Sequence, residues 1–278
     1  ARSGKREEAV AIFDQTRADA EKAGEERTAL WARWLRARCL RVLGRKADAK
    51  KELEGVLDYA AHLGVAAVEA GALRELGNLA LRDGDHDEAG RLLRRSATRL
   101  EGAGLKVEAA VTRVSLGELA RAQGDLAGAR SEYSSTFSVM RAYGLTSEVL
   151  VTLINLGIVE LAMGRARRAS RRLVEIDRLL PPEQPHGLRR YVEALRVACF
   201  AEKGAWEEAE ESVDRLAEGG ALPADPDLLW LLEHAGGCAR TGGEASLAAD
   251  AFDLALGIAE SLNDKDAQRR LRTAMHGG

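Results

Sequence analysis

Residues 76–93 read LGNLALRDGDHDEAGRLL, and residues 116–133, one period of 40 further on, read LGELARAQGDLAGARSEY. In both stretches a Leu-Gly pair is followed by a Gly-Asp pair, then by an alanine and then by a large residue. Glycine costs the interior of a helix about 1 kcal/mol relative to alanine. Glycines at fixed spacing in a chain rich in Ala, Leu, Arg and Glu therefore indicate a repeated structural unit.

The period of 40 extends along nearly the whole chain, in three series of glycines. The first series consists of Gly4, Gly44, Gly84, Gly124, Gly164, Gly204 and, one residue early, Gly243. A second series lies midway between these positions, at Gly24, Gly64, Gly104 and Gly144, and a third consists of Gly77, Gly117 and Gly157. Between the first two series lie segments of about 17 residues with apolar residues at helical spacing. We therefore predict that each repeat contains a helix A, a glycine turn, a helix B and a second glycine turn.

The glycines of the third series lie inside helix A and need a different explanation from the turn glycines. A turn glycine supplies the left-handed conformation that ends a helix at little cost. A glycine inside a helix is tolerated when a neighbouring helix comes very close. We therefore predict tight helix crossings at Gly77, Gly117 and Gly157. The period-two alternation typical of strands is absent from the sequence.

These motifs resemble the tetratricopeptide repeat, from residue 4 to about residue 276. The usual period of that family is about 34, and the period of 40 is similar to its longer-helix branch, found in kinesin light chains, in bacterial signal-transduction ATPases and kinases, and in peptide-pheromone receptors. The usual tryptophan of helix A is missing, since Leu73, Arg113 and Leu153 stand at its position. The resemblance implies an all-α, right-handed superhelical solenoid of about seven repeats and about fourteen helices.

Two segments interrupt the pattern, and both are rich in proline or glycine. Residues 181–186 and 219–226 replace interrepeat turns, and we interpret them as rigid corners in a single solenoid over residues 1–278. A domain boundary at 181–186 is the alternative. We expect residues 264–276 to form a charged capping helix. Because the chain begins without methionine and the first repeat is half over at Gly4, we also expect it to be part of a larger protein.

Composition excludes several classes of protein. The chain has 278 residues and a net charge of only −3, which argues against binding to nucleic acid. No apolar segment approaches the ~20 residues of a membrane span, and no signal peptide is recognisable. Three scattered cysteines do not make a disulfide framework. We therefore expect a cytoplasmic protein with neither a nucleic-acid nor a membrane partner.

The sequence contains none of the catalytic motifs that we sought. GxxxxGK[ST], a GxGxxG between strand and helix, and GxSxG are all absent. Cys39, Cys199 and Cys238 share one repeat position, which is apolar in other repeats, so we interpret them as core residues in separate layers. The five histidines show no HxxxH spacing. We predict no catalytic residue, no metal site and no cofactor.

The tetratricopeptide resemblance implies that helix A lines a concave face that binds peptides. The residues at inward positions, or flanking them, that could contact such a peptide are Trp31, Trp34, Arg38, Arg41, Arg74, Asn78, Arg121, Asn155, Tyr191 and Trp230. The N-terminal part of this set is rich in arginine, which suits an acidic or carboxylate-bearing peptide. The alternative is that Trp31 and Trp34 pack against a preceding helix.

Charge is distributed unevenly along the chain. A basic ridge on one helix B consists of Arg165, Arg167, Arg168, Arg171 and Arg172, whereas residues 205–264 contain 14 acidic residues and two arginines. Either these are solvated outer faces, or the basic part docks electrostatically on the acidic part of another copy or of a sister domain.

From these observations we predict a non-catalytic protein-interaction and regulatory domain of a larger bacterial signalling protein, a Ser/Thr kinase or a signal-transduction ATPase. The alternative is a sensing module that holds a short peptide in its concave groove. The expected partner is a protein or peptide, which includes a domain of the same parent chain and a second copy.

Overall fold

A computed structural model describes residues 2–181 and 186–276. Within these ranges the chain forms fourteen helices and no strand, as the sequence predicted. The first seven are α1 (Arg2–Ala23), α2 (Glu26–Val42), α3 (Lys46–His62), α4 (Ala66–Arg82), α5 (His86–Gly102), α6 (Lys106–Ala122) and α7 (Leu126–Ala142). The others are α8 (Thr146–Ala162), α9 (Ala166–Leu179), α10 (His186–Ala201), α11 (Trp206–Glu218), α12 (Pro226–Gly242), α13 (Ala245–Ser261) and α14 (Lys265–His276). Among them, none has both the length and the apolar character needed to cross a membrane.

The helices belong to two compact units, residues 1–143 (unit 1) and residues 144–278 (unit 2). In unit 1 each helix packs against the next, and α4 also contacts α2 and α6. In unit 2, α10 contacts α8, α9, α11 and α12, while α13 contacts α11, α12 and α14. Each unit is therefore a stack of helical hairpins, the arrangement expected of helical repeats. That residues 1–278 form one uninterrupted solenoid stays a prediction.

The turn glycines adopt the conformation that the sequence predicted for them. Gly84 has a φ of 80°, and positive φ values recur at both turn series from Gly24 to Gly243. The Gly84 amide donates to the Leu81 carbonyl at 3.2 Å, and the Asp85 amide donates to the Ala80 carbonyl at 2.9 Å. These paired hydrogen bonds end α4 in a Schellman motif.

Gly4 differs from the other members of its series. It lies inside α1, which begins at Arg2, rather than in a turn. The turn predicted at Gly4 is therefore wrong, because α1 continues through this position.

The interior glycines mark close helix contacts, as predicted. A Cβ atom at Gly77 would lie 2.8 Å from Leu93 Cγ, and one at Gly117 would lie 2.5 Å from Tyr133 Cε1. The third glycine of the series, Gly157, faces Leu195 of α10 instead of a residue of the following helix. The tight crossings therefore depend on these residues having no side chain.

The irregular segments correspond to breaks between helices. Helix α9 ends at Leu179, and residues 182–185 of the first predicted corner lie outside the described residues. The second corner separates α11 from α12, and Asp225 caps α12 by accepting a hydrogen bond from the Asp227 amide at 2.9 Å. The predicted capping helix is α14, and Asp264 caps it by accepting from the Ala267 amide at 2.9 Å.

The Gly-Asp pair has a second role that mutation can test. The Asp85 side chain accepts a hydrogen bond from the Glu88 amide at 3.1 Å and so caps the start of α5. We expect Asp85→Ala to lower the free energy of unfolding by about 1 kcal/mol in urea titrations. Asp87→Ala is the matched control, because Asp87 lies in the same first turn but caps nothing. Equal losses in both variants would contradict a capping role.

Candidate functional site

Three arginines surround one buried carboxylate in unit 1. Arg38 and Arg41 lie on α2, and Arg74 and Glu75 are adjacent on α4. The Glu75 side chain is only 3% exposed, whereas the side chain of Arg38 is 43% exposed. We call these four residues the arginine cluster. With three guanidinium groups and one carboxylate, the cluster has a net charge of +2.

The contacts within the arginine cluster are unequal. Arg41 Nε lies 2.6 Å from Glu75 Oε2, while Arg38 Nε and Arg74 Nη2 lie 3.5 and 3.4 Å from Oε1. Burial lowers the pKa of the Arg74 guanidinium, with Arg38 and Arg41 adding to the effect and Glu75 opposing it. A guanidinium remains charged in a protein despite such a shift. The cluster is therefore a partly buried site of net positive charge.

Two tryptophans adjoin the arginine cluster on α2. The Trp34 indole lies under the Arg38 guanidinium, 4.9 Å from carbon to ring centroid, and makes an edge contact with Trp31 at 5.3 Å. Trp34 rests on the backbone of α4 at Gly71, where a Cβ atom would come within 2.6 Å of the ring. Trp31 remains 40% exposed. We call the surface formed by Trp31, Trp34, Arg38, Arg41 and Arg74 the α2–α4 face.

Besides the ion-paired atoms of Arg38, Arg41 and Glu75, two buried side-chain atoms at this surface have no hydrogen-bond partner among the described residues. They are the indole nitrogen of Trp34 and the side-chain oxygen of Asn78. Asn78 lies on α4, one helical turn beyond Arg74. Buried polar groups are nearly always satisfied, so these two atoms are exceptions among the buried polar groups of unit 1.

The remaining predicted contact residues lie elsewhere. Arg121 is on α6 in unit 1, half-buried, and already makes an interaction of its own. Asn155, Tyr191 and Trp230 belong to unit 2, on α8, α10 and α12. Burial and the nearby carboxylate of Asp225 raise the pKa of the Tyr191 hydroxyl above its usual value, so it is a neutral hydrogen-bonding group.

Comparison with known proteins supports the fold at two levels. The family model described as tetratricopeptide repeat matches residues 70–95 and 110–133. These ranges include the Leu-Gly pairs at Gly77 and Gly117 and the alanines that follow each turn. The chain has the tetratricopeptide-repeat fold. No curated protein sequence matches it.

Several solved structures share this tetratricopeptide-repeat fold at low sequence identity. BtubC (BKLC) from P. vanneervenii is 18% identical with a TM-score of 0.64, and the match covers 80% of this chain and 94% of that one. A Rap protein solved in complex with Competence and Sporulation Factor is 12% identical, with a TM-score of 0.67 and coverage of 95% and 73%. A kinesin light chain-like repeat protein from Podospora anserina is 15% identical, with a TM-score of 0.50 and coverage of 70% and 96%.

The basic ridge lies on α9 of unit 2, with Arg165 immediately before the helix, and part of its charge is balanced. Arg165 and Arg168 approach Glu160, with nitrogen–oxygen distances of 3.7 and 4.0 Å. Arg172 lies 3.6 Å from Glu175. Arg167 and Arg171 are exposed. The ridge is more open to solvent than the arginine cluster, so its charges are more strongly screened.

Sequence reasoning missed Glu75, although a signal was present. The equivalent position of the neighbouring repeats, nine residues before the turn glycine, holds Leu35, Ser115 and Asn155. Glu75 is therefore a charged residue at a position that is otherwise uncharged in this part of the repeat array. Its partners Arg38 and Arg41 lie on α2, so these ion pairs depend on the packing of α2 against α4.

A second group of polar residues, in unit 2, was also missed. His234 and Cys238 lie one turn apart on α12, and Glu202 immediately follows α10. Cys199 is buried, as predicted for the three cysteines, but Cys39 and Cys238 are half-buried. Burial and the Glu202 carboxylate raise the pKa of the Cys238 thiol to about 12. The HxxxC spacing on one helix was the signal that the sequence offered.

Proposed function

We propose that unit 1 is a protein-interaction module whose α2–α4 face binds an acidic segment of a partner protein or peptide. The observation that carries this proposal is the arginine cluster, in which three guanidinium groups share the single carboxylate of Glu75. An incoming carboxylate would balance charge that the fold itself leaves unbalanced.

The geometry of arginine suits this task. A guanidinium presents donors in a planar fork, so it can donate to an incoming carboxylate while it still contacts Glu75. Partial burial of Arg41 and Arg74 lowers the local dielectric, which strengthens their attraction for an anion. Glu75 holds these side chains in place before a partner arrives, and preorganisation of this kind reduces the entropy lost on binding.

The tryptophans add an apolar contact beside the charged one. Trp31 offers an exposed aromatic surface, and aromatic residues with arginine are the types that most often dominate binding energy at interfaces. The best ligand is therefore a segment that alternates acidic and apolar residues.

The wider role follows from the fold and the resemblance together. In this proposal the chain acts without catalysis, as the interaction part of a larger cytoplasmic signalling protein of bacteria, a Ser/Thr kinase or a signal-transduction ATPase. Of its relatives in fold, the Rap protein was solved in complex with Competence and Sporulation Factor. That complex is a precedent for partner binding by this fold.

The proposal predicts a charge-specific loss of binding. A fluorescein-labelled peptide of alternating Glu and Leu should bind the full chain, and its fluorescence anisotropy reports the affinity. We expect Arg38→Gln to weaken binding by about tenfold, because a hydrogen bond between charged groups contributes about 1.5 kcal/mol. Added salt should weaken binding by the wild-type protein.

Arg168→Gln is the matched control for this experiment. Arg168 is 55% exposed and lies 4.0 Å from the buried Glu160, much as Arg38 is 43% exposed and lies 3.5 Å from the buried Glu75. We expect its affinity for the peptide to equal that of wild type. Equal losses in the two variants, or no loss in either, would contradict binding at the α2–α4 face.

A further inference from the structure

In unit 2, three side chains with different metal-binding atoms converge on one point. They are Glu202, which follows α10, and His234 and Cys238, which lie on the same side of α12 at positions i and i+4. Their carboxylate oxygen, imidazole nitrogen and thiol sulfur all lie within 4.8 Å of one another. Among the described residues, no other group of three such side chains comes this close together.

The distances match one face of a metal-centred tetrahedron. Zinc bonds of about 2.0–2.1 Å to oxygen and nitrogen, and about 2.3 Å to sulfur, place tetrahedral ligand atoms about 3.3–3.6 Å apart. Here Glu202 Oε2 lies 2.9 Å from His234 Nε2 and 3.2 Å from Cys238 Sγ, and Sγ lies 3.8 Å from Nε2. Each distance is within about 0.4 Å of the tetrahedral value, so the three atoms have the spacing that a zinc ion requires.

The surroundings favour a cation. The His234 ring stacks on Trp230, with centroids 5.1 Å apart and planes at 13°, which fixes the orientation of the imidazole. The adjacent Glu233 is paired with Arg270 at 3.1 Å, so it does not compete for the ligand position. Residues 205–264 contain 14 acidic residues and two arginines, which makes this part of the chain attractive to cations.

Space remains on the open side of the three ligand atoms. They border an open cavity of about 570 Å³ that is also lined by Trp206, Glu233 and Thr241. A tetrahedral zinc ion with three protein ligands keeps a fourth position for water or another ligand. The cavity is where that fourth ligand would lie.

We propose that Glu202, His234 and Cys238 bind a zinc ion, which ties the end of α10 to α12 within unit 2. Sulfur, imidazole and carboxylate together are a ligand set that zinc accepts, whereas magnesium and calcium require oxygen ligands throughout. On binding, the thiol proton passes to solvent and the thiolate forms the sulfur–zinc bond. Because α10 and α12 belong to successive hairpins, the ion stabilises their packing without any change of fold.

Metal titration of the full chain tests this site. Zinc sulfate in a calorimeter should give one binding event per chain, and cobalt(II) should give a sulfur-to-cobalt charge-transfer band in the near ultraviolet. We expect Cys238→Ser to abolish that band and to weaken zinc binding by at least about 100-fold, the loss typical of disturbing a metal site. Cys39→Ser is the matched control, since Cys39 occupies the same repeat position of another repeat, and it should bind like wild type.

Glu202→Gln provides a second variant in case Cys238→Ser disturbs packing. Glu202 is exposed and lies outside the helices, so its replacement should leave the circular dichroism spectrum unchanged while it weakens zinc binding by at least about tenfold. The proposal is overturned if wild type binds no zinc, or if the cobalt band persists in Cys238→Ser. Either result would mean that Glu202, His234 and Cys238 form a hydrogen-bonded group only.

Discussion

Replacing Gly117 with leucine is expected to lower the free energy of unfolding by about 3 kcal/mol or more. A Cβ atom at this position would lie 2.5 Å from Tyr133 Cε1, and the Tyr133 ring is completely buried between α6 and α7. Overpacking a well-packed core typically costs ~1–3 kcal/mol and occasionally more, and leucine adds four carbon atoms where the first already meets the ring. The gain in helix propensity, about 1 kcal/mol, offsets only part of this loss. Urea denaturation followed by circular dichroism measures the change.

Gly257→Ala is the control for the glycine prediction. Gly257 lies inside α13, one turn before its end at Ser261, and a Cβ atom there meets no other atom within 4 Å. We expect this variant to be more stable than wild type by about 0.5–1 kcal/mol, because alanine favours the helix. Two results would contradict the prediction: Gly117→Leu as stable as wild type, or Gly257→Ala as destabilising as Gly117→Leu. Either would mean that the close crossing of α6 and α7 does not require glycine at position 117.

Replacing Glu75 with glutamine is expected to have the second largest effect, a loss of about 2–3 kcal/mol in the free energy of unfolding. The substitution keeps the shape of the side chain but leaves three guanidinium groups without a balancing carboxylate. Breaking a buried ion pair from one side costs about 3–5 kcal/mol. The expected loss of about 2–3 kcal/mol is at or below the lower end of that range, because the Arg38 side chain is 43% exposed and its charge is partly screened by water.

The Glu75→Gln variant also separates charge from packing. Added sodium chloride should recover part of the lost stability, because salt screens repulsion among the arginines. Where the variant is folded, it should bind the Glu-Leu peptide about fivefold more tightly than wild type, since the gain from a peptide carboxylate that replaces the missing one exceeds the preorganisation lost with Glu75. Glu88→Gln, which removes a surface pair with Arg91, should change stability by less than ~1 kcal/mol. If Glu75→Gln lowered the free energy of unfolding by no more than Glu88→Gln does, Glu75 would not be balancing the charge of the three arginines.

The repeat architecture could be predicted from sequence because its determinants are local. Gly84 and its equivalents are needed wherever the chain turns with positive φ, and a fixed period makes that need visible. Gly117 and Tyr133 are sixteen positions apart, as are Gly77 and Leu93. The same close contact between a glycine and a large side chain therefore occurs in successive repeats. The same spacing links Gly236 to Phe252, where a Cβ atom would lie 2.5 Å from the ring, but the one-residue shift of the last repeat hid it.

The candidate sites could be predicted only in part, because they depend on contacts between repeats. Trp34, Arg38, Arg41 and Arg74 were identified from inward repeat positions, but the buried Glu75 that organises them was not. The position of a carboxylate between two helices follows from how closely they pack, which the sequence pattern does not specify. In unit 2, Glu202 is far from His234 and Cys238 in sequence, so these ligand atoms meet only through the contact of α10 with α12.

The central claim is that the α2–α4 face of unit 1 receives an acidic segment, and hydrogen exchange locates the binding surface directly. Amide exchange of the full chain is followed by mass spectrometry with and without the Glu-Leu peptide. Because binding stabilises the helices that contact the ligand, we expect slower exchange in α2 and α4, over Glu26–Val42 and Ala66–Arg82, and unchanged exchange in α9. Slower exchange confined to α9, which carries the basic ridge, or no change in α2 and α4 at peptide saturation, would contradict the claim.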